Sequence, residues 1–194
     1  MSDDRTLGRG GAAGAPAGAG GATSPTGAAA APPTGLADLY QELILEHYKH
    51  PRNKGELPGA DVEMHLMNTS CGDEVRLQLV LDGGVIRDAR FQGNGCSISQ
   101  ASVSMMSDLL KGKTIPQSIE LAQRFTDMMH GDPTAAREKR MGDLRALAGV
   151  SQYPVRVKCA LLGWDALLQA LKQIGGEEEG HAAGGSEGSD RHGG

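Results

Sequence analysis

Apolar residues recur at Leu36, Leu39, Tyr40, Leu43, Ile44 and Tyr48, the spacing of one helical face, and Pro51 ends the run. A helix is therefore expected over residues 36–50. The period then drops to two. Val62, Met64 and Leu66 alternate with polar residues, and Val75, Leu77, Leu79 and Leu81 alternate more cleanly against Glu74, Arg76, Gln78 and Asp82. Asp82-Gly83-Gly84 is a tight-turn signal, and Val85 to Phe91 forms the returning strand, which predicts an antiparallel meander. Beyond it the helical period returns. Residues 97–111 place Ile98, Ala101, Met105, Leu109 and Leu110 on one face, with Gly112 as the C-terminal cap. Thr114 caps a helix running through His130, with Pro116 in its first turn and Ile119, Ala122, Phe125 and Met129 inward. Residues 131–148 are charged and weakly apolar, a short helix with loops. Val157 to Leu171 is the last helix, with Val157, Leu161, Trp164, Leu168 and Leu171 on one stripe. Strands first and helices after indicate an α+β fold, a small three-stranded antiparallel sheet with helices packed on one face.

Composition limits how much of the 194 residues belongs to that fold. Residues 1–34 are almost entirely Gly, Ala, Pro, Ser and Thr, and residues 175–194 turn to Gly, Glu, His and Ser. Neither stretch has the apolar surface to offset its ordering entropy, so both are expected to be disordered tails around one domain at 35–174. The formal net charge is −5 and no basic run occurs, which argues against nucleic-acid binding. No apolar stretch reaches the length of a membrane span. The N-terminal region lacks the Leu, Ile, Val or Phe core of a secretion signal, so a cytoplasmic location is expected.

The chain has three cysteines, an odd number that fits metal or thiol chemistry better than a disulfide framework. Cys71 stands in Cys71-Gly72-Asp73 between two expected strands, and Gly72 lets the backbone bend so that Cys71 and Asp73 face one centre. Cys96 follows Gly93-Asn94-Gly95 at a helix start, and Cys159 is expected in the first turn of the last helix. Both helix starts favour thiolate. A single cysteine is most simply a small buried apolar residue. Three at element junctions, with Asp73, instead form a candidate tetrahedral metal site. No Cys-x-x-Cys pair exists, which excludes a thioredoxin-like motif or a zinc ribbon. Three thiolates and a carboxylate outweigh a divalent charge, and Arg156 and Lys158, flanking Cys159, are the candidates to compensate it. Most of the six histidines read as surface residues, with only His65 near a ligand in sequence.

Several segments taken together are recognisable: Leu39-Tyr40-Gln41-Glu42, His47-Tyr48-Lys49-His50-Pro51-Arg52-Asn53, Cys71-Gly72-Asp73, Gly93-Asn94-Gly95-Cys96-Ser97-Ile98-Ser99 and Lys158-Cys159-Ala160-Leu161. In this order, from Leu36 to Leu171, they resemble the IscU/NifU-N family of iron–sulfur cluster assembly proteins. Two departures favour its SufU-like branch. Lys158 stands where IscU scaffolds carry histidine, and Ser151 to Lys158 lacks their Leu-Pro-Pro-Val-Lys motif. The segment from about Gly131 to Gly149 is also similar to SufU. The resemblance implies a zinc site made by Cys71, Asp73, Cys96 and Cys159. It further implies a zinc-dependent sulfurtransferase in which Cys71 accepts persulfide sulfur from a SufS-type cysteine desulfurase. The downstream SUF scaffold complex is a further partner on this reading. Two alternatives are a scaffold that assembles a [2Fe–2S] cluster on the same ligands and a purely structural zinc module.

Overall fold

The structure, a computed structural model, describes residues 35–182. The expected N-terminal tail lies outside these residues, as does the end of the C-terminal one. Helix α1 spans Leu36–Lys49, followed by strands β1 (Val62–Asn68), β2 (Asp73–Asp82) and β3 (Val85–Asn94). Helices α2 (Ser97–Leu110) and α3 (Ile115–Met129) come next, then 3-10 turns over Ala135–Arg137 and Lys139–Gln152, and finally α4 (Pro154–Ala182). Among the described residues no helix is long and apolar enough to cross a membrane.

The three strands form an antiparallel sheet in the order β1-β2-β3. Gly83 and Gly84, at φ 56° and 78°, make the β2–β3 turn. Two consecutive residues at positive φ match the twist of the flanking strands, and glycine adopts that conformation without a Cβ penalty. Val75, Leu77 and Leu79 point into the core. On β3 the inward set is Ile86, Ala89 and Phe91, which breaks simple alternation. The pairing passes from Val80↔Asp88 to Leu81↔Ile86, so Arg87 is an extra residue, a β-bulge that shifts parity. The opposite face, with Glu63, His65, Glu74, Arg76 and Gln92, is polar. The helices cover the inner face, as expected for this α+β arrangement.

Helix α2 departs from the one-faced pattern. It is buried from Ser99 through Ser107 without interruption, together with Leu110. Its serines read as polar in sequence, yet their hydroxyls find partners inside. Ser102 Oγ donates to Ala160 O at 2.7 Å, Ser107 Oγ donates to Ser104 O at 2.8 Å, and Ser104 Oγ lies 2.9 Å from His47 Nδ1. A buried hydroxyl that is hydrogen-bonded costs little, so small serines let α2 pass through the middle of the molecule. His47, expected at the surface, is only 1 % exposed. Leu39 and Tyr48, expected to face inward, are exposed. The face of α1 that packs carries Leu43, Ile44 and His47.

Helix α3 begins with a complete capping box between Thr114 and Gln117. The segment after α3 contributes more to the core than its charge suggests, burying Met141, Leu144, Leu147 and Val150. Gly142, at φ 51°, breaks its helical path. Arg124 ties this segment to α3 by donating to Asp132 and Thr134 at 3.2 Å and to Glu138 at 2.7 Å. Helix α4 starts at Pro154, earlier than the expected Val157, with proline in the position where a missing N–H costs nothing. It continues past the expected domain end at 174 to Ala182. Trp164 is fully buried, stacked on Phe125 with ring centroids 4.8 Å apart, and its indole N–H donates to Ser102 Oγ at 3.2 Å.

Candidate metal centre

Three elements deliver the site. The β1–β2 turn brings Cys71 and Asp73. Asn68 organises it, its carbonyl accepting the N–H groups of Cys71 (3.3 Å) and Gly72 (2.8 Å) and its side-chain oxygen that of Ser70 (3.1 Å). Gly72 sits at φ 72°, the left-handed conformation that lets the chain reverse between the two ligands. Asp73 then opens β2 on its inward face, 2 % exposed.

The β3–α2 junction brings Cys96. Its backbone N–H donates to Asp73 Oδ1 at 2.9 Å, and its thiol lies 3.4 Å from Asp73 Oδ2. Cys96 is also the N-cap of α2, with Sγ accepting the Ser99 N–H at 3.4 Å. Gly95 leaves room for this seat, because a Cβ would stand 2.8 Å from Asp73 Oδ1 and 2.5 Å from Ser99 Oγ and one or both side chains would have to shift. In sequence Gly95 signals only a turn; its role in seating Asp73 depends on a contact across the fold.

Helix α4 brings Cys159, 1 % exposed, with Sγ 3.4 Å from Cys71 Sγ. Because α4 starts at Pro154, Cys159 lies in the second turn and not the first. Its thiol faces the Val155 carbonyl at 3.6 Å, so the expected stabilisation of thiolate by free helix N–H groups does not apply to it. Burial pushes its pKa far above the ordinary thiol value, and hydrogen bonds to Cys71 and Asp73 and the charges of Cys96 and Asp73 add to the rise. Asp73 goes the other way. Burial raises it, but the Cys96 N–H and the thiols of Cys159, Cys71 and Cys96 together hold the carboxyl below its usual value.

Cys71, Asp73 and Cys159 each offer a ligand atom within 4.8 Å of the other two, and Cys96 touches the group through Asp73. Zinc bonds of roughly 2.0–2.3 Å would place neighbouring donors of a tetrahedron roughly 3.3–3.8 Å apart. The Cys96–Asp73 contact of 3.4 Å is close to the sulfur–oxygen value, and the Cys71 and Cys159 sulfurs, also 3.4 Å apart, would open by about 0.4 Å to reach the sulfur–sulfur value. The S₃O donor set also suits zinc. One Asp73 oxygen is committed to the Cys96 N–H, which leaves Oδ2 to ligate. Cys71, Asp73 and Cys159 fit three positions of a tetrahedral zinc site, while Cys96 Sγ lies outside that group and would have to move toward Cys71 and Cys159 to supply the fourth.

The expected compensating cations separate. Lys158 lines a cavity of about 210 Å³ together with Cys71, Asn68, Ser70, Pro154 and Val155. Arg156 lines a different one with Ser97, Ile98 and Tyr153. Neither side chain makes an ion pair among the described residues. His65 stays on the outer sheet face, Nε2 3.8 Å from Glu74, and takes no part in the site.

Residues 39–160 match the pattern of the NifU-like N terminal domain. The chain is similar to the zinc-dependent sulfurtransferase SufU of Bacillus subtilis (strain 168), 46% identical over 142 residues, which cover 73% of this chain and 95% of the relative. It is also similar to the iron–sulfur cluster assembly scaffold protein IscU of Streptococcus pyogenes serotype M1, 40% identical over 71% of this chain and 86% of the relative. Among solved structures, a candidate iron–sulfur cluster assembly scaffold protein for the SUF system from thermophilic Fervidobacterium islandicum AW-1 superposes with a TM-score of 0.64. It is 37% identical and matches 71% of this chain and 99% of that one.

Proposed function

Since the chain belongs to the family of NifU-like N-terminal domains, we propose that it serves iron–sulfur cluster assembly as a zinc-dependent sulfurtransferase. Cys71 would accept persulfide sulfur from a SufS-type cysteine desulfurase. Cys71, Asp73, Cys96 and Cys159 would hold the zinc. The observation that carries this division of labour is exposure: Cys71 is exposed, Cys96 intermediate, and Asp73 and Cys159 buried. A sulfur acceptor must be reached by a partner's cysteine, whereas an anchor is better shielded from it.

When bound, zinc keeps its thiolates deprotonated without offering redox chemistry of its own. The remaining work belongs to the chain. The Asn68 turn presents Cys71 outward, and the Cys96 N–H fixes the Asp73 carboxylate in place. The Cys71 thiolate attacks the outer sulfur of the partner's persulfide, and the partner's cysteine leaves as thiolate. One sulfur–sulfur bond breaks as another forms, so no oxidant is needed.

Identity of 40% to an IscU scaffold favours a second reading, in which the same donors hold a [2Fe–2S] cluster. Lys158 counts against it, since IscU scaffolds carry an imidazole donor there. Colourless protein with one zinc per chain fits sulfur transfer; brown, iron-loaded protein fits the scaffold.

The test is turnover of a SufS-type desulfurase with cysteine, measured with and without this protein. Wild type should raise the rate. Cys71→Ser, at an exposed position, should abolish sulfur acceptance while leaving the fold intact. Normal acceptance by Cys71→Ser would refute the assignment.

A further inference from the structure

The cavity beside Cys71 has a composition that the ligand set does not explain. Its walls are the Asn68–Ser70 turn and the start of α4, contributed by Pro154, Val155 and Lys158. These three α4 residues share a face because they lie at helical positions i, i+1 and i+4. Arg156 points elsewhere for the same reason. The cavity of about 210 Å³ is thus lined by one cysteine and one lysine among small polar and apolar residues, with Lys158 exposed. Lys158 forms no ion pair or side-chain hydrogen bond among the described residues. It also lines the longer groove that runs on between β1 and α4 past Asp165 to Lys172, yet among the described residues neither acidic Asp165 nor any other carboxylate pairs with it. An exposed lysine without an ion-pair partner among the described residues, lining the same cavity as the sulfur acceptor, is placed to meet an anion that the metal-ligand set does not supply.

We infer that Lys158 is a binding residue for the transferred sulfur, its ammonium holding the terminal sulfur of a Cys71 persulfide inside this cavity. The inference rests on the sulfur-transfer reading above. After the partner's thiolate leaves, the arriving sulfur sits on Cys71 and releases its proton to water, which leaves an anionic Cys71–S–S⁻ group. That charge is displaced outward from the metal ligands by one sulfur–sulfur bond, about 2 Å. The cavity provides room for one extra sulfur atom, and Lys158 provides the opposite charge. On this account Lys158 acts on the product of transfer and not on the metal.

The test uses the zinc-loaded full chain with a SufS-type desulfurase and cysteine, following persulfide arrival on Cys71 by intact mass. Lys158→Met should lower the maximal transfer rate by about fivefold, with the half-saturating concentration moving by less than about twofold, the scale of one exposed charge contact. Zinc content should be unchanged, and Lys158→Arg should recover most of the rate. A wild-type maximal rate in Lys158→Met would overturn the inference. So would a defect confined to the half-saturating concentration, which marks a docking contact, or a loss of zinc, which marks a structural role. If the wild-type chain carries no sulfur on Cys71, the underlying reading fails, and this inference falls with it.

Discussion

Gly95 matters because of the side chain it lacks. The space a Cβ would fill is held by the Asp73 carboxylate and the Ser99 hydroxyl. Gly95→Ala is therefore expected to push Asp73 from the position where the Cys96 N–H holds it. Residues that orient a ligand commonly control 10- to 100-fold of metal affinity, and a loss of about that size is expected for this variant in a chelator-competition titration. Unchanged affinity would show that Asp73 does not need this seat. The ligand candidates themselves could be read from sequence, because cysteines at element junctions with an aspartate beside one of them are scarce and chemically specific. Their supporters could not. Gly95, Asn68 and Ser99 act through contacts between segments distant in sequence or through turn geometry, and their residue types are ordinary in loops. Cys159 lies one turn deeper than expected for a simpler reason: the helix begins at Pro154, three residues before the expected Val157.

At the scale of elements, α2 and α4 decide whether the cysteine on each reaches the centre. They cross closely at Gly163, where a Cβ would stand 2.3 Å from Val103 Cγ2. Trp164 next to it fills the space against Phe125 and is anchored by Ser102. Trp164→Ala should destabilise the protein by about 3–5 kcal/mol, read as a lowered midpoint in urea unfolding. A change below about 1 kcal/mol would mean that the α2–α4 crossing does not depend on that ring. Element types and order followed directly from periodicity, including the Thr114 cap and the Gly83-Gly84 turn. Where the pattern misled, the cause was chemistry hidden by residue class. The serines of α2 and His47 of α1 are polar by type but buried with partners. The 3-10 turns over Lys139–Gln152 have no regular helical period, so their five buried apolar residues do not stand out.

Over the whole molecule, carboxylates set the response to acid. Burial raises Asp88 and Asp108, but hydrogen bonds and charge from Lys111 on Asp88, and from Arg52 and Asn53 on Asp108, lower both below the ordinary value overall. A carboxyl with a depressed folded pKa stabilises fully above its unfolded value of about 3.9, and that stability is lost as the pH falls through the folded value. The thermal midpoint should therefore hold from neutrality to about pH 4 and drop below it, with Asp88→Asn and Asp108→Asn each flattening the acid limb. A midpoint rising below pH 4 would contradict these ion pairs. Acid unfolding bears on stability alone; whether the centre carries sulfur calls for a separate observation. The direct one is intact mass spectrometry of the zinc-loaded chain after reaction with a SufS-type desulfurase and cysteine, with the added sulfur located by fragmentation. The account predicts one added sulfur on Cys71, with zinc retained and none on Cys96 or Cys159. Sulfur located on Cys96 or Cys159 instead, or no added sulfur on any cysteine, would contradict it.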